Sequence, residues 1–235
     1  MKKSIFFFHD MVKILGHRGN PAEYDDNTLA GIDSAAGLCD GVEVDFRRCA
    51  TGELVLSHDP VVGGLIVAET PLDELVGELG LATAGELFEL ELDADLDLEV
   101  KNWPMDTGFE VDHAIGLEVA AFARPRDIVT CFYWPTVDSV KALMPHVSTG
   151  LLFEGDVGWA AALNHALRHE HGTLAPHHTL IDADLMNAAR ENSIEVAAWT
   201  VDDRATVVEL AELGVHTIIT NRPADVVGWI QEDLT

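Results

Sequence analysis

Short apolar segments rich in β-branched residues alternate along the chain with longer segments in which apolar residues recur at helical spacing. The short segments have the length of buried strands, and the longer ones have the pattern of amphipathic helices. The pattern predicts eight strands, at residues 12–16, 41–46, 96–100, 127–132, 148–153, 173–176, 195–201 and 216–220. An additional extended segment, residues 53–58, follows the second strand.

Predicted helices separate these strands, at residues 28–38, 71–79, 83–90, 109–123, 136–143, 159–169, 184–191, 204–213 and 224–231. Such regular alternation with short loops favours a parallel sheet. The sequence has no internal repeat, Rossmann glycine signature or linker-like stretch, so closure into a (β/α)8 TIM barrel is the simplest outcome. A doubly wound open sheet is the alternative fold. We expect residues 12–235 to form a single domain.

The first eleven residues do not fit this alternation. Two lysines precede the apolar residues 5–8, and Asp10 follows them. This apolar run is too short for a signal peptide, and no stretch of the chain approaches the roughly 20 apolar residues of a membrane span. We interpret residues 1–11 as a leader or a start-site extension, and we expect no stable membrane association.

The charge balance is strongly acidic, with 41 Asp and Glu against 14 Lys and Arg and a formal net charge of −27. This composition is typical of proteins from salt-accumulating halophiles, with an ordinary acidic protein as the alternative. It disfavours unassisted binding to nucleic acid or to anionic membranes. The odd number of cysteines (Cys39, Cys49 and Cys131) shows no CxxC spacing, which indicates a reducing, cytoplasmic compartment. The sequence does not define an oligomeric state.

Polar residues cluster where the first three predicted strands end. They occur in five short motifs, namely GHRG at 16–19, DDNT at 25–28, EVD at 43–45, HD at 58–59 and EVK at 99–101. In a barrel of this type, functional residues gather at the carboxyl ends of the strands. Residues i and i+2 of a strand point to one face, so Glu43 should project with Asp45, and Glu99 with Lys101.

Each of these residues also has a structural explanation when taken alone. Asn27 or Thr28 fits a helix N-cap, and Asp59 before Pro60 fits a turn. A lone histidine is more often structural than catalytic. The glutamates of the EVD and EVK motifs could pair with the arginines at 47 and 48.

Taken together, however, the motifs favour a phosphoryl-transfer site. Three carboxylates (Glu43, Asp45 and Glu99) at one barrel mouth are costly unless a cation or proton compensates them. Oxygen-only ligands suit Mg²⁺, Ca²⁺ or Mn²⁺. Arg18 and Lys101 would supply positive charge suited to a phosphate, and His17 and His58 have the pKa range for acid–base catalysis.

In this order and spacing, GHRG, DNT, EVD, HD and EVK resemble the glycerophosphodiester phosphodiesterase family, as do the later AAWTVDD at 197–203 and GVHTIITNRP at 214–223. The resemblance implies a TIM barrel that hydrolyses deacylated phospholipids, a small-molecule substrate, to glycerol phosphate and an alcohol. It also implies one divalent cation. The implied roles are metal ligation by Glu43, Asp45 and Glu99, acid–base catalysis by His17 and His58, phosphate contacts from Arg18 and Lys101, a pocket wall at Trp199, and support from Asp26 and Asn27.

The sequence departs from the family pattern in three places. DNT replaces the usual ENT, so Asp26 has a shorter reach. Asp202 replaces the Asn of a WTVN pattern, which we interpret as a helix-capping exchange. About 40 residues separate His58 from Glu99, which predicts a shortened insertion after the second strand region. For Trp199, a place in the barrel core is the alternative to a pocket wall.

Two other functions remain open from sequence. One is a related phosphodiesterase or phospholipase-like barrel acting on intact lipid, and the other is a catalytically silent protein that binds glycerophosphodiesters. Three further histidines (His165, His169 and His171) lie on or after a predicted exposed helix, where metal binding is the less favoured interpretation.

The acidic composition makes a prediction about salt. Surface repulsion at this net charge destabilises a compact chain in dilute buffer, whereas in molar salt the Debye length falls to about 3 Å. We expect a loss of compactness on dialysis from molar KCl, measured as hydrodynamic radius and circular dichroism. An unchanged radius and spectrum in dilute buffer would count against halophilic adaptation.

Overall fold

A computed structural model of the chain describes residues 12–155 and 157–233, so the predicted leader lies outside the described residues. The strands are β1 Lys13–His17, β2 Gly41–Arg48, β3 Leu54–Leu56, β4 Val61–Val62, β5 Leu65–Ile66, β6 Asp95–Val100, β7 Ile128–Cys131, β8 Ser148–Phe153, β9 Thr173–Pro176, β10 Glu195–Ala198 and β11 Thr217–Thr220. The helices are α1 Leu29–Ala36, α2 Leu72–Leu79, α3 Ala84–Glu89, α4 Ala114–Phe122, α5 Trp134–Leu143, α6 Trp159–His169, α7 Ala183–Glu191, α8 Arg204–Leu213 and α9 Pro223–Asp233.

Eight of the described strands close into a parallel barrel in the order β1, β2, β6, β7, β8, β9, β10 and β11. Closure depends on β1, which pairs with β2 on one side and with β11 on the other. The predicted (β/α)8 barrel is therefore confirmed, and the open-sheet alternative is wrong. The extra extended segment forms β3, which pairs antiparallel with the end of β2.

Alternation along the strands separates apolar from charged side chains. On β6, Leu96, Leu98 and Val100 belong to the main hydrophobic cluster between barrel and helices, whereas Asp97 and Glu99 face the barrel interior. Strand β2 repeats the pattern, with valines and a phenylalanine packed outward and acidic residues between them. Packing of the apolar residues into the main hydrophobic cluster thus determines which carboxylates meet inside the barrel.

Two glycines of the GHRG motif let the loop after β1 pack closely against α1. A Cβ at Gly16 would lie 2.2 Å from the carbonyl oxygen of Gly19. Gly19 has a φ of +100°, and a Cβ there would lie 2.8 Å from the carbonyl carbon of Gly31. The tight loop brings the backbone amide of Arg18 to within 3.0 Å of Glu43 Oε2.

Some element boundaries differ from those predicted. Helix α4 begins at Ala114 rather than near residue 109, because Asn102 exchanges two hydrogen bonds with the backbone of Glu110 and holds residues 101–113 as a loop. Helix α5 begins earlier than predicted, at Trp134, since Pro135 fits the first helical turn.

The segment between β3 and β6 contains the β4–β5 hairpin, α2 and α3. That this segment is shortened relative to the family stays a prediction. None of the helices in the described ranges is both long enough and apolar enough to cross a bilayer.

Candidate active site

Three buried carboxylates lie together inside the barrel. Glu43 and Asp45 come from β2, Glu99 comes from the neighbouring β6, and Asp45 stands opposite Glu99 in the strand register. Each residue offers a carboxylate oxygen within 4.8 Å of the other two. The three predicted metal ligands are thus brought together.

Two basic side chains compensate part of this negative charge. The Nζ of Lys101 lies 2.8 Å from Asp45 Oδ1 and also donates to Glu99. The Nε of Arg18 lies 3.2 Å from Asp45 Oδ2, and its Nη1 lies 3.0 Å from Asp26 Oδ2. With all five inner groups ionised, the cluster of Glu43, Asp45, Glu99, Arg18 and Lys101 keeps one net negative charge.

The pKa values show which carboxylate is least compensated. Burial opposes ionisation of Asp45, but Lys101 and Arg18 outweigh it and lower its pKa to about 2. Burial, together with the charges of Asp45 and Glu99, raises the pKa of Glu43 well above its usual range. Oε1 of Glu43 is buried and has no hydrogen-bond partner among the described residues. A further cation beside Glu43 would meet an unsatisfied oxygen.

Asn27 orients the central carboxylate. Its Nδ2 donates to Asp45 Oδ2 at 2.8 Å, and its Oδ1 accepts from the Asp45 amide at 3.1 Å. Asn27 has a φ of +56°, and the N-cap of α1 is Thr28, whose hydroxyl accepts from the Gly31 amide. The capping explanation therefore applies to Thr28, while Asn27 contacts Asp45.

His17 is held by a short hydrogen-bonded chain. Its Nδ1 donates to Asn221 Oδ1 at 2.7 Å, and Asn221 Nδ2 donates to Asp202 Oδ2 at 2.7 Å. This chain places the ring proton on Nδ1 and leaves Nε2, which lies 3.8 Å from Glu43 Oε2, free. Burial and the charge of Arg18 lower the pKa of His17 and favour its neutral form.

The interpretation of Asp202 as a helix cap is wrong. The N-cap of α8 is Asp203, whose carboxylate accepts from the Thr206 amide. Asp202 instead accepts from the backbone and side chain of Asn221 and from the Thr220 hydroxyl. Asp202 therefore holds Asn221, which follows β11, and Asn221 in turn holds His17 at the end of the neighbouring strand β1.

His58 lies in the loop after β3 and also lines the pocket. Its Nδ1 donates to Asp59 Oδ1 at 2.7 Å, so Asp59 is the partner of a histidine as well as a turn residue. Arg47 donates to the His58 carbonyl and to Asp106, which ties this loop to the loop after β6. Burial and the charge of Lys101 lower the pKa of His58.

The arginines of β2 do not neutralise the buried glutamates. Arg47 pairs with Asp106, and Arg48 pairs with Glu110 and Glu118. The structural alternative for Glu43 and Glu99, pairing with these arginines, is therefore wrong.

The pocket above the carboxylates has a volume of about 330 Å³ and an aromatic wall. The Phe132 ring lies 5.3 Å from Trp199 and 6.5 Å from Trp103, both in edge-to-face contact. Trp199 donates to the carbonyl of Ala175 at 2.8 Å, which fixes its ring at the wall. The pocket thus has charged side chains at its base and aromatic side chains along one wall.

Sequence reasoning missed several residues that line or support the pocket. Asp97 is buried beside the cluster, accepts from the Thr130 hydroxyl at 2.6 Å, and has a pKa raised by burial to about 7. Its position two residues before Glu99 on one strand was a usable signal. Asn221 lies in a quoted motif to which we assigned no role. Trp103 and Phe132 carry no signal in one sequence, because isolated aromatics after strands fit many folds.

Comparisons with known proteins agree with this geometry. The profile of the glycerophosphoryl diester phosphodiesterase family matches residues 17–225. A glycerophosphodiester phosphodiesterase of Caldanaerobacter subterraneus subsp. tengcongensis is 27% identical over an alignment of 241 residues, gaps included, that covers 93% of this chain and 98% of that protein. One from Arabidopsis thaliana is 40% identical over 252 residues, covering 97% of this chain and 76% of the relative.

Solved structures show the same fold at lower identity. A putative glycerophosphoryl diester phosphodiesterase of Agrobacterium tumefaciens superposes with a TM-score of 0.82 at 22% identity, covering 94% of this chain and 98% of its own. A phosphodiesterase of Oleispira antarctica in complex with the product sn-glycerol-3-phosphate has a TM-score of 0.81 at 21% identity, covering 95% and 98%.

Fold and site together define a TIM barrel with a charged pocket of about 330 Å³ at the carboxyl ends of its strands. The chain belongs to the glycerophosphoryl diester phosphodiesterase family. It is accordingly an enzyme of the phosphoric diester hydrolase class, as the sequence motifs predicted.

Proposed function

We propose that this enzyme hydrolyses glycerophosphodiesters to glycerol phosphate and an alcohol with the help of one divalent cation. The observation that carries the proposal is the cluster of three buried carboxylates with only two basic side chains and an unsatisfied oxygen on Glu43. The product complex of the Oleispira antarctica protein supports a glycerol phosphate product by family relationship.

The donor set fits a hard cation. Glu43, Asp45 and Glu99 offer carboxylate oxygens alone, which suit Mg²⁺ or Ca²⁺, and also Mn²⁺, better than zinc. When bound there, such an ion supplies positive charge that neutralises phosphoryl oxygens and favours ionisation of a nucleophilic hydroxyl. It would change the net charge of the five-group cluster from −1 to +1, which suits an anionic diester.

Arg18 and Lys101 bind the phosphodiester in this proposal. Both line the pocket, and each contacts two carboxylates. Arg18 contacts Asp45 and Asp26, and Lys101 contacts Asp45 and Glu99. Their fixed charges attract the phosphoryl oxygens locally, against the repulsive field of a protein with net charge −27. Asp26 orients the Arg18 guanidinium from outside the cluster.

His17 and His58 move the protons. Each donates its Nδ1 proton to an acceptor outside the pocket, Asn221 for His17 and Asp59 for His58, which leaves Nε2 as the titrating atom. One Nε2 removes a proton from water or from a neighbouring hydroxyl of the substrate. The other protonates the departing alkoxide, so that the alcohol leaves uncharged.

The aromatic wall of Trp103, Phe132 and Trp199 gives the pocket an apolar side for the glycerol carbons or the alcohol. The pocket volume of about 330 Å³ lies at the small end of the range for ligand pockets, which favours a deacylated diester over an intact lipid as the substrate. Liposome flotation separates the two. The free cysteines in the described residues, Cys39, Cys49 and Cys131, accord with a cytoplasmic location. Hydrolysis of deacylated phospholipids would place the enzyme in lipid metabolism.

The reaction class and the metal are tested by product release. Purified protein in molar KCl is treated with chelator, resupplied with Mg²⁺, Ca²⁺ or Mn²⁺, and assayed for glycerol phosphate from a panel of glycerophosphodiesters. We expect turnover only with metal, abolished in Glu43→Ala because the unsatisfied carboxylate is lost. The exposed Glu89→Gln on α3 should keep wild-type turnover.

No product with any metal, from protein that circular dichroism shows to be folded, would contradict this reaction. Binding of a glycerophosphodiester without turnover would then identify a catalytically silent binding protein.

The acid–base roles predict large losses of turnover. Removal of one acid or base typically costs about 10²- to 10⁴-fold in rate, so His17→Ala and His58→Ala should each lower kcat within that range. His146→Ala replaces an exposed histidine outside the pocket and serves as the control. If turnover of either variant stayed within a few-fold of wild type, the assignment of that histidine would be wrong.

A further inference from the structure

A second group of metal-ligating side chains lies outside the active-site pocket. Asp138 of α5, His165 of α6 and His171 in the loop before β9 each offer a ligand atom within 4.8 Å of the others. His169, the last residue of α6, directs Nδ1 to within 3.8 Å of Asp138 Oδ1. The sequence favoured an exposed helix here, whereas the His171 side chain is fully buried.

The group lies at the opposite end of the barrel from the active site. His171 lies two residues before β9, and Thr149, which contacts its ring, is the second residue of β8. These are amino-terminal ends of strands, whereas the carboxylate cluster and both catalytic histidines lie at carboxyl ends. A ligand bound here would therefore not enter the proposed reaction.

The geometry brings several ring nitrogens to one carboxylate. Nε2 of His165 lies 2.9 Å and Nε2 of His171 lies 2.8 Å from the same Asp138 oxygen, Oδ1. The rings of His165 and His169 stack with centroids 4.3 Å apart and an angle of 11° between planes. At these distances each Nε2 donates its proton to Asp138, so a bound cation would replace those protons.

The positions of these rings suit a shared ligand, and one supporting contact already orients the His171 ring. His165 and His169 are four residues apart on α6, a spacing that places both on one helix face. Nδ1 of His171 lies 2.8 Å from the Thr149 hydroxyl, which leaves Nε2 for Asp138 or an ion. A hydrogen bond to the second ring nitrogen is the usual support of a metal-bound histidine.

We propose that Asp138, His165 and His171 form a structural Zn²⁺ site, with the adjacent His169 as its fourth ligand. Imidazoles with one carboxylate suit zinc better than Mg²⁺ or Ca²⁺, so the two sites of this protein select different ions. Four protein ligands leave no open position for a substrate, as in structural zinc sites. The ion would tie α5, α6 and the entry to β9 together at the base of the barrel.

The test is Zn²⁺ titration of chelator-treated full-length protein by calorimetry, in molar KCl with excess Mg²⁺. We expect one tight equivalent in wild type and in Glu43→Gln, and its loss in His165→Ala. Thr149→Val should weaken binding by roughly 10- to 100-fold, because it removes the support of His171. His146→Ala, which replaces an exposed histidine that is not part of the group, should bind as wild type.

Zn²⁺ should also raise the melting temperature of wild type and leave that of His165→Ala unchanged. Tight binding that survives His165→Ala and disappears in Glu43→Gln would place the ion in the catalytic pocket and overturn the proposal. Absence of tight binding to folded wild-type protein would overturn it as well. Product release with Mg²⁺ should be unchanged in His165→Ala, which separates this test from that of the proposed function.

Discussion

The site depends on one electrostatic constraint, the placement of three carboxylates inside a barrel where water solvates them poorly. Glu43, Asp45 and Glu99 lie within 4.8 Å of one another, and burial penalises the charge on each. Lys101 and Arg18 stabilise the charge of Asp45 most, so the charge of Glu43 is the least compensated of the three. The divalent cation that we propose would compensate this charge and reverse the charge of the pocket, which would connect the energetics of the buried cluster to recognition of an anionic diester.

The barrel supplies this cluster through ordinary packing rules. Apolar residues of β2 and β6 pack outward against the helices, and strand alternation then forces their acidic neighbours inward, opposite each other in register. Closure between β1 and β11 adds the second requirement, because it brings Asn221 of the last loop to His17 of the first strand. The charged floor of the pocket is thus a consequence of how the core is built and closed.

Much of this was readable from sequence, and the limits have physical causes. Short apolar, β-branched segments between helical patterns predicted the barrel strands, and the ordered motifs predicted which polar residues meet at one mouth. Residues 109–113 were predicted as the start of a helix but belong to a loop, because the hydrogen bonds between Asn102 and Glu110 are tertiary contacts without a local pattern. Asp202 was misread for the same reason: its partner, Asn221, is distant in sequence. The His165–His171 pairing through Asp138 needs two helices in contact, which one sequence does not display.

The most direct test of the central constraint is the melting temperature of wild type and Glu43→Gln in molar KCl, with chelator and then with Mg²⁺. We expect Glu43→Gln to be at least as stable as wild type without metal, because the substitution removes an uncompensated buried charge. We expect Mg²⁺ to raise the melting temperature of wild type alone. A variant that is less stable than wild type in chelator, or that gains as much from Mg²⁺, would contradict this account.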